Sequence, residues 1–571
     1  HVTEGPWGDK DNGLLWAYNY SIRCPKDLHG NNCNDVLIEE LSTNFNYGGK
    51  WEMLDGVEFD IMPSSIKMSQ QKQHQSAGHV PDTDGDGIGD GGIFNGINEY
   101  GIGNFNFLSQ LRKTIGNSKL ILADGQGAEQ QRSSYILNGT EQEGFPNNNP
   151  RNFLRWSMGL NMFRFWNNVS VSPKLVYTAE KRKVPRNSNL SEFPMRWHRL
   201  TEAAAVFEDA AVFHNYVPQG NDHPTVWDEV VKGVENQYGW LGKPTGKTTH
   251  LAENYKDELG GDGKPMNPEI LSHLKSLGMA SFEVSDEYLK VEAIDKSYSM
   301  IKFRIKNVPF HEGHIYLSFD CKTDMLSNYP EGYNRLITVS VNGNKFPLKM
   351  NCFLSYNWIP YKYYFCNTTD PVDGKKYVHA TGNLIDIELE VEGSDPFYLR
   401  NLTIHHAPEI VYREFENGVV LANLSESNYS FKIAEYLPGE KFQRLVGSND
   451  QDPSVNNGDP INDQVILPAK DALFLRKRAT SISSNPVEKK QISLYPNPSF
   501  SNSPIWINGL DKRNQKLKFY YTKAGLGIIN GGIDVNENKI NISGLNSGMY
   551  IYKIIEDNIA IGEGNLLILN N

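Results

Sequence analysis

Several features that would assign a protein at once to a major class are missing from this sequence of 571 residues. It has no run of about 18 apolar residues, which excludes a membrane-spanning helix. Its 56 basic side chains are outnumbered by 68 acidic ones, and the net charge of −12 argues against a surface that binds nucleic-acid phosphates. Since 39% of the residues are hydrophobic and 22% are charged, the chain is nevertheless expected to fold into globular domains.

The motifs of several common enzyme classes are also missing. No GxGxxG follows the first predicted strand and no GxxxxGK[ST] occurs, so a nucleotide-binding fold is unsupported. A serine-hydrolase elbow, GxSxG, is absent as well. His198, His214 and His223 are scattered without HExxH or any other zinc-ligand spacing.

Cysteine is scarce, and none of the five residues forms a CxxC metal knuckle. Cys24 with Cys33, and Cys352 with Cys366, could each close a short loop, which would leave one thiol over. The pairing and the redox compartment therefore stay open. The sequence begins with His1 and shows no signal peptide, so we expect that it starts after processing or trimming.

Residues 1–278 alternate predicted strands with predicted helices. We expect strands over 14–21, 54–62, 119–125, 174–180 and 211–218, and helices over 35–45, 97–115, 150–166 and 196–209. This alternation predicts a parallel sheet with helices on its faces, and the long loops after the strands favour a (β/α)₈ barrel. Only five of the eight strands are recognisable, so we expect a partial TIM-like barrel that lacks its N-terminal strands.

The rest of the chain changes to strand after strand, which predicts all-β sandwich modules. Residues 279–408 form the first module, with an Asn-Gly hairpin signal in VNGN, and 409–478 form a small β domain associated with the barrel. A Ser/Asn/Pro-rich stretch at 479–490 is typical of a linker, and 491–571 are again all β. The predicted fold is therefore multidomain: α/β first, then all-β sandwiches.

The sharpest local signal is the acidic loop DTDGDGIGD at residues 82–90. Carboxylates at loop positions 1, 3, 5 and 9, a glycine at position 6 and a backbone carbonyl at position 7 are the hard oxygen ligands of a calcium loop. The predicted ligands are Asp82, Asp84, Asp86, Ile88 and Asp90. Position 12 is Ile93 and cannot supply the bidentate Glu of an EF-hand, so the pattern is closer to the shorter calcium loops of thrombospondin-type repeats. We expect structural calcium; the alternative is a solvated acidic turn.

Acidic residues also follow the predicted barrel strands, where side chains point into a barrel's active site. Asp60 ends the strand 54–62, and alternation places Glu58 on the same face. Glu141 and Glu143 lie in the segment after the next strand. A glycosidase needs two carboxylates across one bond, and we predict Asp60 paired with Glu141 or Glu143. The alternative is that each is an ordinary loop acid or an ion-pair partner.

Residues 491–571 resemble the type A sorting domain of the type IX secretion system of Bacteroidetes-type bacteria. The similarity lies in ISLYPNPS at 492–499, ISGLNSGMYIYKI at 542–554 and a final strand that lacks the lysine usual there. The resemblance implies export through the periplasm by an outer-membrane translocon, with a shuttle protein as a further partner. The product would be secreted or attached to the cell surface.

Residues 13–250 and 409–478 resemble glycoside-hydrolase-like barrel proteins. The segments that carry this similarity include LDGVEFD, the acidic loop, NGTEQEGFP and YGWLGKPTG. The module 279–408 would then be an insertion similar to a carbohydrate-binding jelly roll. The resemblance implies a secreted protein that acts on or binds polysaccharide. Whether the barrel is catalytic stays open: the alternative is an inactive surface protein that binds glycan or serves the secretion or adhesion apparatus.

Overall fold

The computed structural model describes most of the first 478 residues and the strands of the C-terminal region. The described residues are 18–60, 62, 64–65, 81–124, 131–145, 155–180, 195–214, 227–255, 257–259, 268–310, 313–326, 333–342, 348–369, 376–377, 382–449, 451–478, 493–495, 499–500, 505–508, 517–523, 539–540, 547–556 and 559–569. The chain divides into two compact units, His1–Arg478 and Ala479–Asn571. The predicted linker at 479–490 lies outside the described residues.

The first segment of the larger unit is mixed α/β. Its elements are α1 (Cys33–Phe45), β1 (Gly56–Phe59), β2 (Ile93–Phe94), β3 (Ile97–Asn98), α2 (Glu99–Ile115), β4 (Leu120–Ala123), β5 (Glu141–Glu143), α3 (Trp156–Val169), β6 (Tyr177–Glu180), α4 (Met195–Phe207), β7 (Ala211–His214) and α5 (Asp228–Val231). β1 pairs with β4, β5 with β6, and β6 with β7, each time in parallel. A parallel bridge between Leu122 and Gly139 joins the two groups.

Five parallel strands therefore follow one another, and among the described residues they do not close into a barrel. The number agrees with the expectation, but one member differs. The predicted strand 14–21 is wrong where it can be checked, since residues 18–21 are not extended into any sheet and 14–17 lie outside the described residues. Glu141–Glu143 takes its place, although its sequence contains no apolar residue.

The helices form because their ends are capped and one side of each is apolar. Asn32 accepts from Asp35 N while the Asp35 side chain accepts from Asn32 N, a capping box that starts α1. Asn98 accepts from Gly101 N at the start of α2. The apolar side of α2 is buried against the sheet, where the Phe107 ring lies 5.4 Å from the ring of Phe59 in β1.

Two antiparallel sheets follow and form the predicted β-sandwich. The elements are β8 (Thr249–His250), β9 (Asp257–Leu259), α6 (Pro268–His273), β10 (Leu274–Ser276), β11 (Ala280–Val284), β12 (Leu289–Ala293), β13 (Met300–Pro309), β14 (His314–Thr323), β15 (Leu336–Asn342), β16 (Lys349–Phe353), β17 (Ile359–Cys366), β18 (Thr368–Thr369), β19 (Lys376–Tyr377), β20 (Leu384–Glu392) and β21 (Phe397–His405). One sheet has the order β10-β13-β20-β15-β16 and the other β11-β12-β21-β14-β17, with β9 on β21. Because β9 and β10 belong to these sheets, the sandwich extends further toward the N-terminus than residue 279.

A smaller β module completes this unit. Its elements are β22 (Ile410–Glu414), β23 (Gly418–Asn423), β24 (Tyr429–Lys432), α7 (Ile433–Tyr436), β25 (Phe442–Arg444), β26 (Pro460–Ile461), β27 (Gln464–Leu467) and β28 (Asp471–Lys477). The main sheet has the order β26-β25-β28-β23-β22-β8. Because β8 comes from the segment before the sandwich, its pairing with β22 joins this module to that segment.

Buried ion pairs and hydrogen bonds also hold the modules of this unit together. Arg199 of α4 donates to both carboxylate oxygens of Asp471 at 2.8 and 2.7 Å, and only 2% of its side chain is exposed. On the sandwich side, Asn161 of α3 donates to Lys362 O at 2.8 Å and accepts from Lys362 N at 3.0 Å. The three modules are therefore fixed to one another by polar groups that are buried from solvent.

The second unit, Ala479–Asn571, is all β, as its sequence predicts. It contains β29 (Ser493–Tyr495), β30 (Ser499–Phe500), β31 (Ile505–Asn508), β32 (Leu517–Lys523), β33 (Lys539–Ile540), β34 (Gly548–Glu556) and β35 (Ile559–Leu569). Two sheets are formed, with orders β29-β31-β33 and β30-β35-β34-β32. The long hairpin β34–β35 buries Tyr550, Leu566 and Ile568.

Two further sequence expectations can be compared with the described residues. No helix there is both long and apolar enough to cross a membrane. All five cysteines carry free thiols, and Cys321, Cys352 and Cys366 are buried. Neither of the two short loops considered from the sequence is therefore closed by a disulfide in this structure.

Candidate functional site

The two faces of the parallel sheet differ in chemistry. One face packs on helices: Phe59 contacts α2, and the Gln142 side chain in β5 donates to Gly159 O of α3 at 3.0 Å. Side chains alternate along a strand, so the neighbours of these residues point to the opposite face. That face carries Glu58, Glu141 and Glu143. We call it the acidic face.

The centre of the acidic face is a contact between Glu58, Tyr177 and Glu141. The Tyr177 hydroxyl donates to Glu58, with 2.7 Å from Oη to each carboxylate oxygen. The same Oη lies 3.3 Å from Glu141 Oε2. One phenol proton thus faces two carboxylates, whose nearest oxygens are at most about 6 Å apart, the sum of the two distances.

This contact requires the sheet to curve toward the acidic face. Glu58 lies on β1 and Tyr177 on β6, with β4 and β5 between them. Neighbouring strands are about 4.8 Å apart, so three spacings would separate the two backbones by roughly 14 Å in a flat sheet. Side chains that meet across that distance lie on the concave side of a curved sheet, as in part of a barrel.

The surroundings of Glu58 and Tyr177 raise the pKa of both groups above the values of a free carboxylic acid and a free phenol. Partial burial of the Glu58 carboxyl group raises its pKa, the Tyr177 hydrogen bond lowers it and the nearby Asp60 raises it, with a net upward shift. Burial, the hydrogen bond to Glu58 and the charge of Glu141 all raise the pKa of Tyr177, so it stays a neutral donor.

The three predicted catalytic residues occupy related but unequal positions. Asp60 follows the end of β1, is exposed, and acts on the site through its charge next to Glu58. Glu141 faces Tyr177, and Glu143 lies two residues on along β5, on the same face and partly buried. Asp124, just after β4, is 2% exposed. The structure thus brings Glu58 to Glu141 through Tyr177, and sequence analysis selected neither Glu58 nor Tyr177 as catalytic.

The acidic loop at 82–90 forms a second cluster of carboxylates. Asp82, Asp84 and Asp86 bring one oxygen each to within 4.8 Å of one another. Asp82 is oriented by Gly85 N at 2.7 Å and Gly87 N at 2.9 Å. Gly87 has φ of +90° and Gly85 has φ of +79°, conformations that favour glycine. The backbone hydrogen bond from Gly87 is the largest of the effects that lower the pKa of Asp82, so the group stays charged.

The other two predicted calcium ligands differ in what the structure shows. Both oxygens of Asp90 bond to Thr83, at 2.8 Å from its N and 2.6 Å from its Oγ1, so Asp90 closes the base of the loop. Ile88 donates its N–H to Asp86 Oδ1 at 2.7 Å, and its side chain is exposed. Three carboxylates that converge in this way fit a hard cation such as calcium, with Asp82, Asp84 and Asp86 as the holding groups.

Comparisons with known proteins give distant likenesses only. No family model matches the chain, and no curated protein matches it. Among solved structures, a family 29 carbohydrate-binding module from Piromyces equi is 16% identical over 28% of this chain and 91% of that chain, with a TM-score of 0.17. The CBM22-1 xylan-binding domain from Paenibacillus barcinonensis Xyn10C is 10% identical over 29% of this chain and 89% of its own, with a TM-score of 0.16.

An exo-beta-agarase is 16% identical over 25% of this chain and 24% of the agarase, with a TM-score of 0.18. The chain therefore spans about a quarter of the length of that enzyme. The similarities cover about 24–29% of the chain and include carbohydrate-binding modules and agarases. Likenesses at these TM-scores do not establish a shared function.

Proposed function

We propose that the protein is a secreted or cell-surface glycoside hydrolase that acts on polysaccharide, with Glu58 and Glu141 as its pair of carboxyl groups. The observation that supports this is the contact of both groups with the Tyr177 hydroxyl, at 2.7 and 3.3 Å, on the concave face of a parallel sheet. Two carboxyl groups on either side of one bond are what glycosidic cleavage requires.

The roles are assigned from the surroundings of Glu58. Burial raises the pKa of Glu58, which suits the general acid that protonates the leaving oxygen, and Glu141 is then the nucleophile. Tyr177 is a positioning residue that keeps both side chains on the concave face. A separation of at most about 6 Å fits the roughly 5–5.5 Å of retaining enzymes better than the 6.5–9.5 Å of inverting ones.

Activity profiling on a panel of polysaccharides tests this proposal. We expect Glu58→Gln and Glu141→Gln to lower kcat/KM by at least about a thousandfold, whereas the exposed Glu39→Gln on α1 serves as a matched control that leaves it unchanged. Asp60→Asn should lower it less, since Asp60 acts through Glu58. Glycan binding by the wild type without any hydrolysis would instead support the inactive binding protein considered from the sequence.

We also propose that residues 491–571 direct export by the type IX secretion system, through the translocon and shuttle protein. The sequence similarity to type A sorting domains supports this, and the all-β organisation of the second unit is compatible with it. We expect that deletion from residue 491 leaves the protein in the periplasm, as measured by fractionation and surface proteolysis. Normal surface display of the truncated protein would contradict the proposal.

A further inference from the structure

One sheet of the sandwich presents two chemically different ends on its outer face. In β14, Leu317, Phe319 and Cys321 point inward and are fully buried, so the alternate residues Tyr316, Ser318, Asp320 and Lys322 point outward. At one end Tyr316 is covered, because its hydroxyl donates to Glu253 Oε1 at 3.0 Å next to His250. The opposite end, around Lys322, is only partly covered by the described residues.

Aromatic rings and polar groups alternate at that partly covered end. The Trp358 ring, just before β17, lies below the Arg400 guanidinium at 4.3 Å and 5.6 Å from Lys322 Nζ. Tyr398 of β21 lies opposite Lys322 in the pairing register, and its ring meets that of Tyr288 at 5.1 Å. We call the surface formed by Trp358, Tyr398, Tyr288, Lys322 and Arg400 the aromatic platform.

The polar groups of the platform hold its rings in place. Asp320 accepts from Arg400 Nε at 3.0 Å and from Asn401 Nδ2 at 2.9 Å. Asp324 accepts from Tyr398 Oη at 2.7 Å, and Lys322 is 3.4 Å from the same carboxylate. Groups that are already ordered lose little conformational freedom when a ligand binds, which favours affinity.

The outer face of the opposite sheet of the sandwich carries paired charges. Its outward residues include Lys302, Arg304, Glu388 and Glu390, which pair with one another: Lys302 with Glu390 at 2.7 Å and Arg304 with Glu388 at 2.7 Å. None of these four side chains is aromatic. At the platform, by contrast, Trp358, Tyr398 and Tyr288 supply aromatic rings.

From this juxtaposition we propose that the aromatic platform is a binding site for a neutral polysaccharide chain. Flat rings take the C–H faces of sugars, while the carboxylates, the amide of Asn401 and the cations bond to hydroxyl groups. Lys322 and Arg400 are balanced by Asp320 and Asp324, so the surface has no excess charge for an anionic polymer. This inference rests on the proposed function in the choice of polysaccharide as ligand, but not on hydrolysis.

Affinity electrophoresis of the full chain in gels that contain xylan, agarose or the anionic alginate tests the proposal. We expect at least one neutral polymer to retard the wild type, and Trp358→Ala and Tyr398→Ala each to weaken that binding about tenfold or more. Trp358→Phe should keep part of the retardation. Tyr47→Ala is the matched control, because Tyr47 is 97% exposed and lies on the α/β part.

The outcomes separate this proposal from the hydrolase. Unchanged retardation in both alanine variants with wild-type circular dichroism and Tm, or a wild type that no neutral polymer retards, would overturn the platform. Preferential retardation by alginate would contradict the choice of a neutral ligand. If the wild type and Glu58→Gln are both retarded but no polymer is cleaved, the platform stands and the hydrolase fails.

Discussion

Removing the Tyr177 hydroxyl should raise the pKa of Glu58. In the Tyr177→Phe variant the ring remains, but Glu58 loses the donor that lies 2.7 Å from each of its carboxylate oxygens. That hydrogen bond lowers the pKa of Glu58, while burial of the carboxyl group and the charge of Asp60 raise it. Without the hydroxyl only the two upward contributions remain, so the shift must be upward.

The size of the shift follows from the strength of the bond. A hydrogen bond to a charged acceptor is worth about 1.5–3 kcal/mol when the groups are buried. The Glu58 side chain is exposed as a whole, so solvent screening reduces this to about 1 kcal/mol. The Tyr177→Phe change should therefore make ionisation of Glu58 less favourable by about 1 kcal/mol.

Titration of the carboxyl carbons by NMR, with the Glu58 signal assigned from the Glu58→Gln spectrum, measures this shift without a substrate. With an active substrate, the basic limb of the pH profile of kcat/KM should move upward by the same amount. Tyr398→Phe is a matched control, since it deletes a hydroxyl bonded to Asp324 on the sandwich and should leave Glu58 unchanged. An unchanged or lowered pKa of Glu58 in Tyr177→Phe would refute the geometry of the site.

Three further predictions concern stability. If the acidic loop holds calcium, a chelator should lower the Tm of the wild type by roughly 2 °C or more. The same chelator should leave the Tm of Asp84→Ala unchanged. Equal Tm values of the wild type with and without chelator would count against the site. Arg199→Met leaves the buried Asp471 without its ion-pair partner and should lower the free energy of unfolding in urea by about 3–5 kcal/mol. The double variant Arg199→Met/Asp471→Leu should recover much of this loss. A loss below about 1 kcal/mol in the single variant would contradict the role of this pair. Burial raises the pKa of Glu409 to about 8 and lowers that of its hydrogen-bond partner His250. The stabilisation that protonated Glu409 gives to the folded state is complete below its unfolded pKa of about 4.5 and is lost as pH rises through 8. The stabilisation from neutral His250 is already complete above about pH 6.5. The free energy of unfolding should therefore fall by about 2 kcal/mol from pH 6.5 to 8. Urea unfolding of Glu409→Gln should not show that fall, and a fall of equal size would show that another group causes it.

Elements with a strong apolar pattern could be predicted from the sequence. KLILADG predicts the strand that becomes β4, since Ile121 and Ala123 are fully buried between sheet neighbours and helices. The same kind of pattern misled at 14–21. The described part of that segment is anchored by polar contacts instead, because Asn19 donates to Thr83 O of the acidic loop at 2.8 Å. An apolar run predicts burial, but it does not determine which partner the segment finds.

The strand Glu141–Glu143 could not be predicted, because its stability comes entirely from its surroundings. Its residues have little strand propensity, yet the parallel pairing with Tyr177–Ala179 satisfies its backbone. Gln142 is 1% exposed, and its amide donates to Gly159 O. The helix that accepts this bond follows later in the chain, so no local sequence pattern predicts the strand.

The site was predictable as a region but not as a set of contacts. Alternation predicts that Glu58 and Asp60 share one face, and the sequence predicts Glu141 or Glu143 as the partner of Asp60. The sequence favours Asp60 over Glu58 because Asp60 lies at the end of the predicted strand. What distinguishes Glu58 is Tyr177, 119 positions away in sequence and three strands away in the sheet. Only the curvature of the sheet brings these two residues together.

The helix α3 connects the sandwich strand β17 to the face of the parallel sheet that lies opposite the acidic face. Its Gly159 O accepts from Gln142, the residue between the two glutamates of β5. Its Ser157 accepts from Tyr364 N at 3.0 Å, in β17, the strand that begins directly after Trp358. Both contacts lie in the first turn of α3, so a single helix turn holds β17 and β5 to each other. The benefit of the platform should grow with the length of the glycan, since only chains long enough to reach both sites can use it.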